Sequence, residues 1–130
     1  MYCFLSLLQM EHTSDRYTGF TDGASRWYTN LTSAAWVIYS PSHELIHIDG
    51  ICMGTTTNNQ VEYDAVNGLL AATLQSGIHH LDIFLDSQLL VSQLNNHYRV
   101  RDPRLFRKYL RTKQMVKKFD SITFKWLTIF

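Results

Sequence analysis

Three observations in the 130-residue chain predict an α/β fold built on a mixed five-stranded sheet. Three short apolar or alternating segments come first, joined by turn residues. An alanine- and leucine-rich stretch at helical spacing follows, and then a compact apolar run. Strand, strand, strand, helix, strand is the order of an antiparallel meander followed by a parallel crossover. Two further helical stretches and a last strand complete a sheet with helices packed on it.

Residues 1–16 read as a leader and residues 17–130 as the domain. Tyr17 to Phe20 is the first strand, and Thr21-Asp22-Gly23-Ala24-Ser25 reads as the turn that ends it. Ala34 to Tyr39 is a second strand, stopped by Ser40-Pro41-Ser42. Glu44 to Met53 alternates as a third, with Gly50 marking a bulge. Thr55 to Asn59 is a polar break. Within it Thr57, three residues before Gln60, fits a capping box. Val61, Ala65, Leu69 and Ala72 then set a helix that runs to about Gln75 and stops at Ser76-Gly77. Leu81 to Leu85 is a buried strand with Asp86 at its end. Ser87 to about Asn95 is a short helix. Pro103 opens another, which runs to about Phe119 with an apolar face of Leu105, Tyr109, Val116 and Phe119, flanked by Phe106 and Leu110. Ser121 to Phe130 is the last strand, and no internal repeat appears.

The hydrophobic share of 45% suffices for a core at this length, and scarce Pro and Gly argue against disorder. The net charge of +1 conceals an asymmetry. Between Arg99 and Lys118 lie nine of the twelve basic residues and a single acid, Asp102. That local excess of eight suits a phosphate backbone, and Arg99, Arg101, Arg104, Arg107, Lys108 and Arg111 are its candidate contacts. Trp27 and Tyr28 are candidates for stacking on a base or sugar; Trp36 and Trp126 read as core. Cys3 and Cys52 are too few for a disulfide-stapled fold. The apolar opening, Met1 to Met10, is too short to span a bilayer and lacks a basic flank. An intracellular protein, cytoplasmic or nuclear and without a membrane partner, is expected. Asn30-Leu31-Thr32 is a chance match to a glycosylation acceptor. His43 and His47 fall on one face of a strand but have no third ligand nearby.

Asp22 and Asp86 each end a predicted strand, and Glu62 lies in the first turns of the helix between them. Functional groups in mixed sheets gather where neighbouring connections diverge. If the two strands are adjacent, three carboxylates converge. Clustered carboxylates repel unless a hard divalent cation offsets them. A pair of such ions clamps the attacking and leaving oxygens of a phosphodiester displacement. Spacing alone leaves surface acids as the commoner explanation.

Flanking residues add a resemblance. Thr21-Asp22-Gly23-Ala24-Ser25, then Thr57-Asn58-Asn59-Gln60-Val61-Glu62-Tyr63, then Asp86-Ser87-Gln88-Leu89-Leu90-Val91 resemble the type 1 ribonuclease H family, most of all its retrotransposon-derived and plant members. The likeness covers roughly Tyr17 to Trp126. It implies a two-metal endonuclease that cuts the RNA strand of an RNA·DNA hybrid. Asp22, Glu62 and Asp86 match the family's catalytic metal ligands, for Mg²⁺ or for Mn²⁺ in its place. It also implies that main-chain groups of Gly23, Ala24 and Ser25, with the side chains of Asn58, Asn59 and Gln88, lie along the minor groove of the hybrid. Amide groups that both donate and accept suit ribose 2′-hydroxyls. Helix capping is the plainer role for Asn58 and Asn59. The order Asp, Glu, Asp sets the chain apart from integrase-like relatives, which run Asp, Asp, Glu. Ala24, two after Asp22, sets it apart from proofreading exonucleases with Asp-x-Glu.

The family has a fourth carboxylate in a helix after the last strand, and no residue up to Phe130 takes its place. Asp102 and Asp120 precede the strand. The expectation is therefore a domain that lacks its final helix and binds metal more weakly. Its alternative function is that of a catalytically impaired domain that only binds a nucleic-acid duplex or associates with a partner. A last strand without its covering helix would pair with a second copy.

Overall fold

The computed structural model describes residues 15–26, 31–54 and 57–127; for residues 22–26, 31, 32 and 53 it describes the main chain alone. The elements run β1 (Tyr17–Arg26), β2 (Leu31–Tyr39), β3 (Leu45–Met53), α1 (Asn58–Gln75), β4 (His80–Leu85), α2 (Gln88–Leu94), α3 (Pro103–Val116) and β5 (Ser121–Trp126). The sheet order is β3-β2-β1-β4-β5. β1, β2 and β3 pair antiparallel, while β4 is parallel to β1 and to β5. The predicted mixed sheet of five strands is therefore present. The leader before Asp15, the Trp27-Tyr28 pair, Asn30 of the acceptor triplet, Cys3, Thr55-Thr56 and the strand's predicted end at 128–130 lie outside the described residues.

α1 starts as its sequence dictates. The Thr57 side chain accepts from the Gln60 amide and the Gln60 side chain accepts from the Thr57 amide, closing the capping box. At the other end Ser76 caps the helix and Gly77 takes φ +74°, the left-handed conformation that glycine reaches without strain. Along α1, Ala65, Val66, Leu69, Leu70 and Thr73 are fully buried. The four apolar ones share one core with Trp36 and Ile38 of β2, Leu81, Ile83 and Leu85 of β4, Leu90 and Leu94 of α2, Leu105 of α3, and Phe124 of β5. Two glycines let α1 ride close on the sheet. A Cβ on Gly19 would come within 2.7 Å of Leu69, and one on Gly68 within 2.4 Å of the Trp36 ring. On the other face Phe20, Val37, Tyr39 and Phe84 form a second cluster.

Several local expectations are overturned. Thr21 to Ser25 is not a turn: β1 continues through it, and Arg26 still pairs with Leu31. Asp and Gly are poor strand formers, and the β2 ladder overrides that preference. Gly50 does not mark the bulge. It pairs in register with Ala35, and the irregularity falls between Ile38 and Tyr39, whose partners are His47 and Leu45. Glycine is needed at 50 because a Cβ there would lie 2.7 Å from the Ala34 carbonyl oxygen. His43 sits in the turn before β3 at φ +68°, so it does not share a strand with His47. α3 stops at Val116; the predicted face of Leu105, Tyr109, Val116 and Phe119 does pack on the core, with Phe119 just past the helix, whereas the flanking Phe106 and Leu110 are exposed. Trp36 is core as expected; Trp126, on the edge strand β5, is 46% exposed.

Arg16, set in the leader by the sequence, is tied into the sheet. Its guanidinium donates to Asp82 Oδ1 at 3.0 Å, to the Leu81 carbonyl at 3.0 Å and to Ser121 Oγ. Asp82 also accepts from Thr123 Oγ1 at 2.6 Å. Burial pushes its pKa up, but the hydrogen bonds from Arg16 and Thr123 and the charges of Arg16 and Lys125 outweigh this and hold the carboxyl below its usual range. The carboxylate within Leu81 to Leu85, an otherwise apolar run, is thus an anchor joining β4 to β5 and to the residue before β1.

Candidate active site

β1 and β4 are neighbours, paired in parallel from Tyr17↔Leu81 to Phe20↔Phe84. The same offset, carried two residues on, puts the Asp22 main chain level with Asp86, which directly follows β4. Glu62 is brought to that level by α1. The chain must return from the end of β3 to the start of β4, so α1 runs opposite to β1 and β4. Leu69 rests on Gly19. From Leu69 back to Glu62 is about 10 Å of helix at 1.5 Å per residue, and from Gly19 forward to Asp22 is about 10 Å of strand. Glu62 is half-buried, at the N-terminal end of the stripe that faces the sheet. Asp86 is exposed. The topology therefore carries all three predicted acids to one end of the sheet. Among the described residues, which include only the main chain of Asp22, no group of three His, Cys, Asp or Glu side chains forms a metal cluster.

Hydrogen bonds absent from the sequence reading fix this end of the molecule. Tyr63, next to Glu62, is fully buried and donates its hydroxyl to Gln93 Oε1 of α2 at 2.7 Å. Burial, with a smaller push from Tyr109, raises the Tyr63 pKa far above its ordinary value, so the phenol stays neutral. Ser87 caps α2 by accepting from the Leu90 amide at 3.2 Å, which orients the turn holding Asp86.

The predicted nucleic-acid contacts fall in two places. Asn58 and Asn59 are the first two residues of α1, and Gln88 is the first of α2. Capping belongs to Thr57 rather than to either asparagine. Gly23, Ala24 and Ser25 lie in the part of β1 that outruns β4. The ladder with β4 ends at Phe20, while the ladder with β2 continues to Arg26. Among the described residues, that stretch of β1 has a strand neighbour on one side only. The basic residues lie apart from these. Arg99 and Arg101 are exposed in the segment before α3; Arg104, Arg107 and Arg111 are exposed along α3. Lys108 is not an open cation: it donates to Asp64 Oδ1 at 2.7 Å. Arg104 pairs with Asp102, which caps α3 by accepting from the Arg104 amide at 2.8 Å. One turn on from Lys108, Thr112 of α3 donates to Asn67 Oδ1 of α1 at 2.6 Å, and no local pattern in the sequence marks this helix pairing.

A family model described as reverse transcriptase-like matches residues 20–128. The crystal structure of RNase H1 from the halophilic archaeon Halobacterium salinarum superposes with a TM-score of 0.80 at 32% identity, over 86% of this chain and 85% of that one. This chain belongs to the ribonuclease H-like family. The curated ribonuclease HI of H. salinarum is 34% identical over 106 residues, which is 82% of this chain and 53% of that protein. This ribonuclease H-like chain thus spans about half the length of that relative, and 29% of a matching Mycobacterium tuberculosis protein. The LC11 ribonuclease H1, solved in complex with an RNA/DNA hybrid, shares the fold with a TM-score of 0.79 at 24% identity, over 86% of this chain and 85% of its own.

Proposed function

We propose that this domain hydrolyses the RNA strand of RNA–DNA hybrids, with Asp22, Glu62 and Asp86 as the ligands of a divalent cation. The observation that carries the proposal is the common level of Asp22 and Asp86 on adjacent parallel strands, with Glu62 in the first turns of the helix packed on β1. Their donor chemistry fits the ion: three carboxylates offer the hard oxygen ligands that Mg²⁺ or Mn²⁺ takes. A bound cation there supplies Lewis acidity at the scissile phosphate and lowers the pKa of an attacking water.

The chain's own groups do the rest. The one-sided stretch of β1 at Gly23 to Ser25 presents main-chain donors and acceptors. Asn58, Asn59 and Gln88 sit at the starts of the two helices that flank the same end. Amides there suit the 2′-hydroxyls of a shallow minor groove. Arg99 and Arg101 supply positive charge for the phosphates beyond it. The complex of the LC11 relative with a hybrid supports this use of the fold. No described helix is long and apolar enough to cross a membrane. We place the activity inside the cell, in cytoplasm or nucleus, where hybrids form.

Cleavage of an end-labelled hybrid by the wild-type chain and by Asp22→Asn tests the proposal. Mg²⁺-dependent cutting by the wild type alone is the expected result. Equal cutting by both, or none by either, overturns it.

A further inference from the structure

We propose that the cleft between α1, α3 and the β2–β3 side of the sheet binds a nucleotide, at a site separate from the three carboxylates. The cleft has a volume of about 400 Å³, within the range of small-molecule sites. α1 and α3 run parallel, with Asp64 against Lys108 and Asn67 against Thr112. Their N-termini lie together at the carboxylate end, and the cleft opens further along, beside Gly68 and Ala71. It therefore leads away from Asp22, Glu62 and Asp86.

Four observations define what the cleft would hold. Arg107 and Arg111 line it one helical turn apart. Among the described residues neither has a carboxylate partner, whereas neighbouring Arg104 and Lys108 both do. A like-charge pair at this spacing weakens a helix, and an anion between the two guanidiniums relieves it. Trp36 lines the wall at 7% exposure, and its indole Nε1–H is buried without an acceptor. Asp64 spends Oδ1 on Lys108, while its Oδ2 is buried without a donor. Buried polar atoms without partners are rare in folded proteins and point to a missing ligand or ordered water. Exposed Ile51 completes an apolar wall beside Trp36.

Two cations, one orphaned donor, one orphaned acceptor and an apolar wall fit a phosphate joined to a planar ring that bears both a hydrogen-bond acceptor and a donor. The phosphate oxygens accept from Arg107 and Arg111. The ring lies along Ile51, a ring nitrogen accepts from the Trp36 indole N–H, and an amino or hydroxyl group donates to Asp64. A bare anion leaves the apolar wall unused, and an uncharged ring leaves the arginines unused.

The test is a chemical-shift titration of the whole chain in EDTA, which keeps metal from the carboxylates. Adenosine 5′-phosphate, adenosine, inorganic phosphate and a short single-stranded DNA are the four probes. Saturable shifts at the Trp36 indole N–H, Gly68 and Ala71 are expected with adenosine 5′-phosphate, at least about 10-fold tighter than with adenosine or phosphate alone. Arg107→Gln and Arg111→Gln should each weaken it about 10-fold with the rest of the spectrum unchanged. Asp22→Asn should leave it intact, so this result stands or falls independently of hybrid cleavage. Equal binding of inorganic phosphate, shifts confined to the carboxylate end, or response to the DNA strand alone would each overturn the proposal.

Discussion

The Tyr63 hydroxyl donates to Gln93 Oε1 at 2.7 Å, and this bond joins the helix that carries Glu62 to the helix that begins two residues after Asp86. Both partners are buried. Tyr63→Phe leaves the Gln93 oxygen unsatisfied, which costs about 1–2 kcal/mol. The urea midpoint should fall with an unchanged slope, and hybrid cleavage should slow because Glu62 loses its fixed relation to Asp86. The phenol also sets an alkaline limit. Its folded pKa is raised above the ordinary 10.0, so above pH 10 the unfolded chain gives up a proton that the folded one keeps. Stability falls as pH rises from there. In Tyr63→Phe that part of the alkaline loss should vanish; an identical alkaline limb in both chains would refute this assignment.

Asp82 sets the acid limit. Its pKa is lowered in the folded chain, mainly through Arg16 and Thr123 against the opposing effect of burial. The stabilisation is complete above the ordinary carboxylate pKa of about 4 and is lost as pH falls below it towards the folded value. Asp82→Asn should cost about 2 kcal/mol at neutral pH, because it removes the charge paired with a partly buried guanidinium that keeps its bonds to Leu81 and Ser121. It should also flatten the decline of stability below pH 4. Thermal melts of both chains across pH 2.5 to 7 check this, and parallel acid limbs would show that another group governs it.

Removing a direct metal ligand should cost more than removing a group that only orients one, for which 10- to 100-fold is usual. Asp86→Asn and Glu62→Gln should each lower cleavage by at least about 100-fold. EDTA should abolish it and added Mg²⁺ restore it. Retained activity in either variant would remove that residue from the site.

Gly68 shows what the sequence could not disclose. In the middle of a helix a glycine normally costs about 1 kcal/mol relative to alanine. Here a Cβ would lie 2.4 Å from the rigid Trp36 ring, so Gly68→Ala should destabilise by about 1–3 kcal/mol instead of stabilising. A gain in melting temperature would contradict the close approach.

The same division holds across the molecule. α1 was legible because its caps and its apolar period are local features, and β4 because a compact apolar run between turns has few other uses. The far half of β1 was not, since Asp22-Gly23 prefers a turn and only the ladder with β2 makes it a strand. Asp22, Glu62 and Asp86 are candidates because of their flanking motifs, and the topology carries them to one end of the sheet. The Tyr63–Gln93 bond and the Arg16 anchor join residues 30 and 66 positions apart. No local pattern announces such pairs.

The basic segment makes the last prediction, because its charges are not equivalent. Arg101 is exposed in the segment before α3. If it meets a phosphate of the hybrid, Arg101→Ala should weaken binding and reduce the slope of log affinity against log salt by about 1. Lys108 sits in the same stretch of sequence, but Asp64 holds its ammonium at 2.7 Å, with the two side chains 29% and 16% exposed. Lys108→Met should therefore leave the salt slope unchanged. It should instead destabilise the fold by about 2 kcal/mol, between the values for exposed and for buried pairs, because it abandons the Asp64 carboxylate against α3. Fluorescence polarisation of a labelled hybrid from 50 to 300 mM salt, alongside urea unfolding, separates the two effects. A salt slope that drops equally in both variants would mean that Lys108 leaves Asp64 to meet the backbone, and that the whole stretch acts as one phosphate-binding surface.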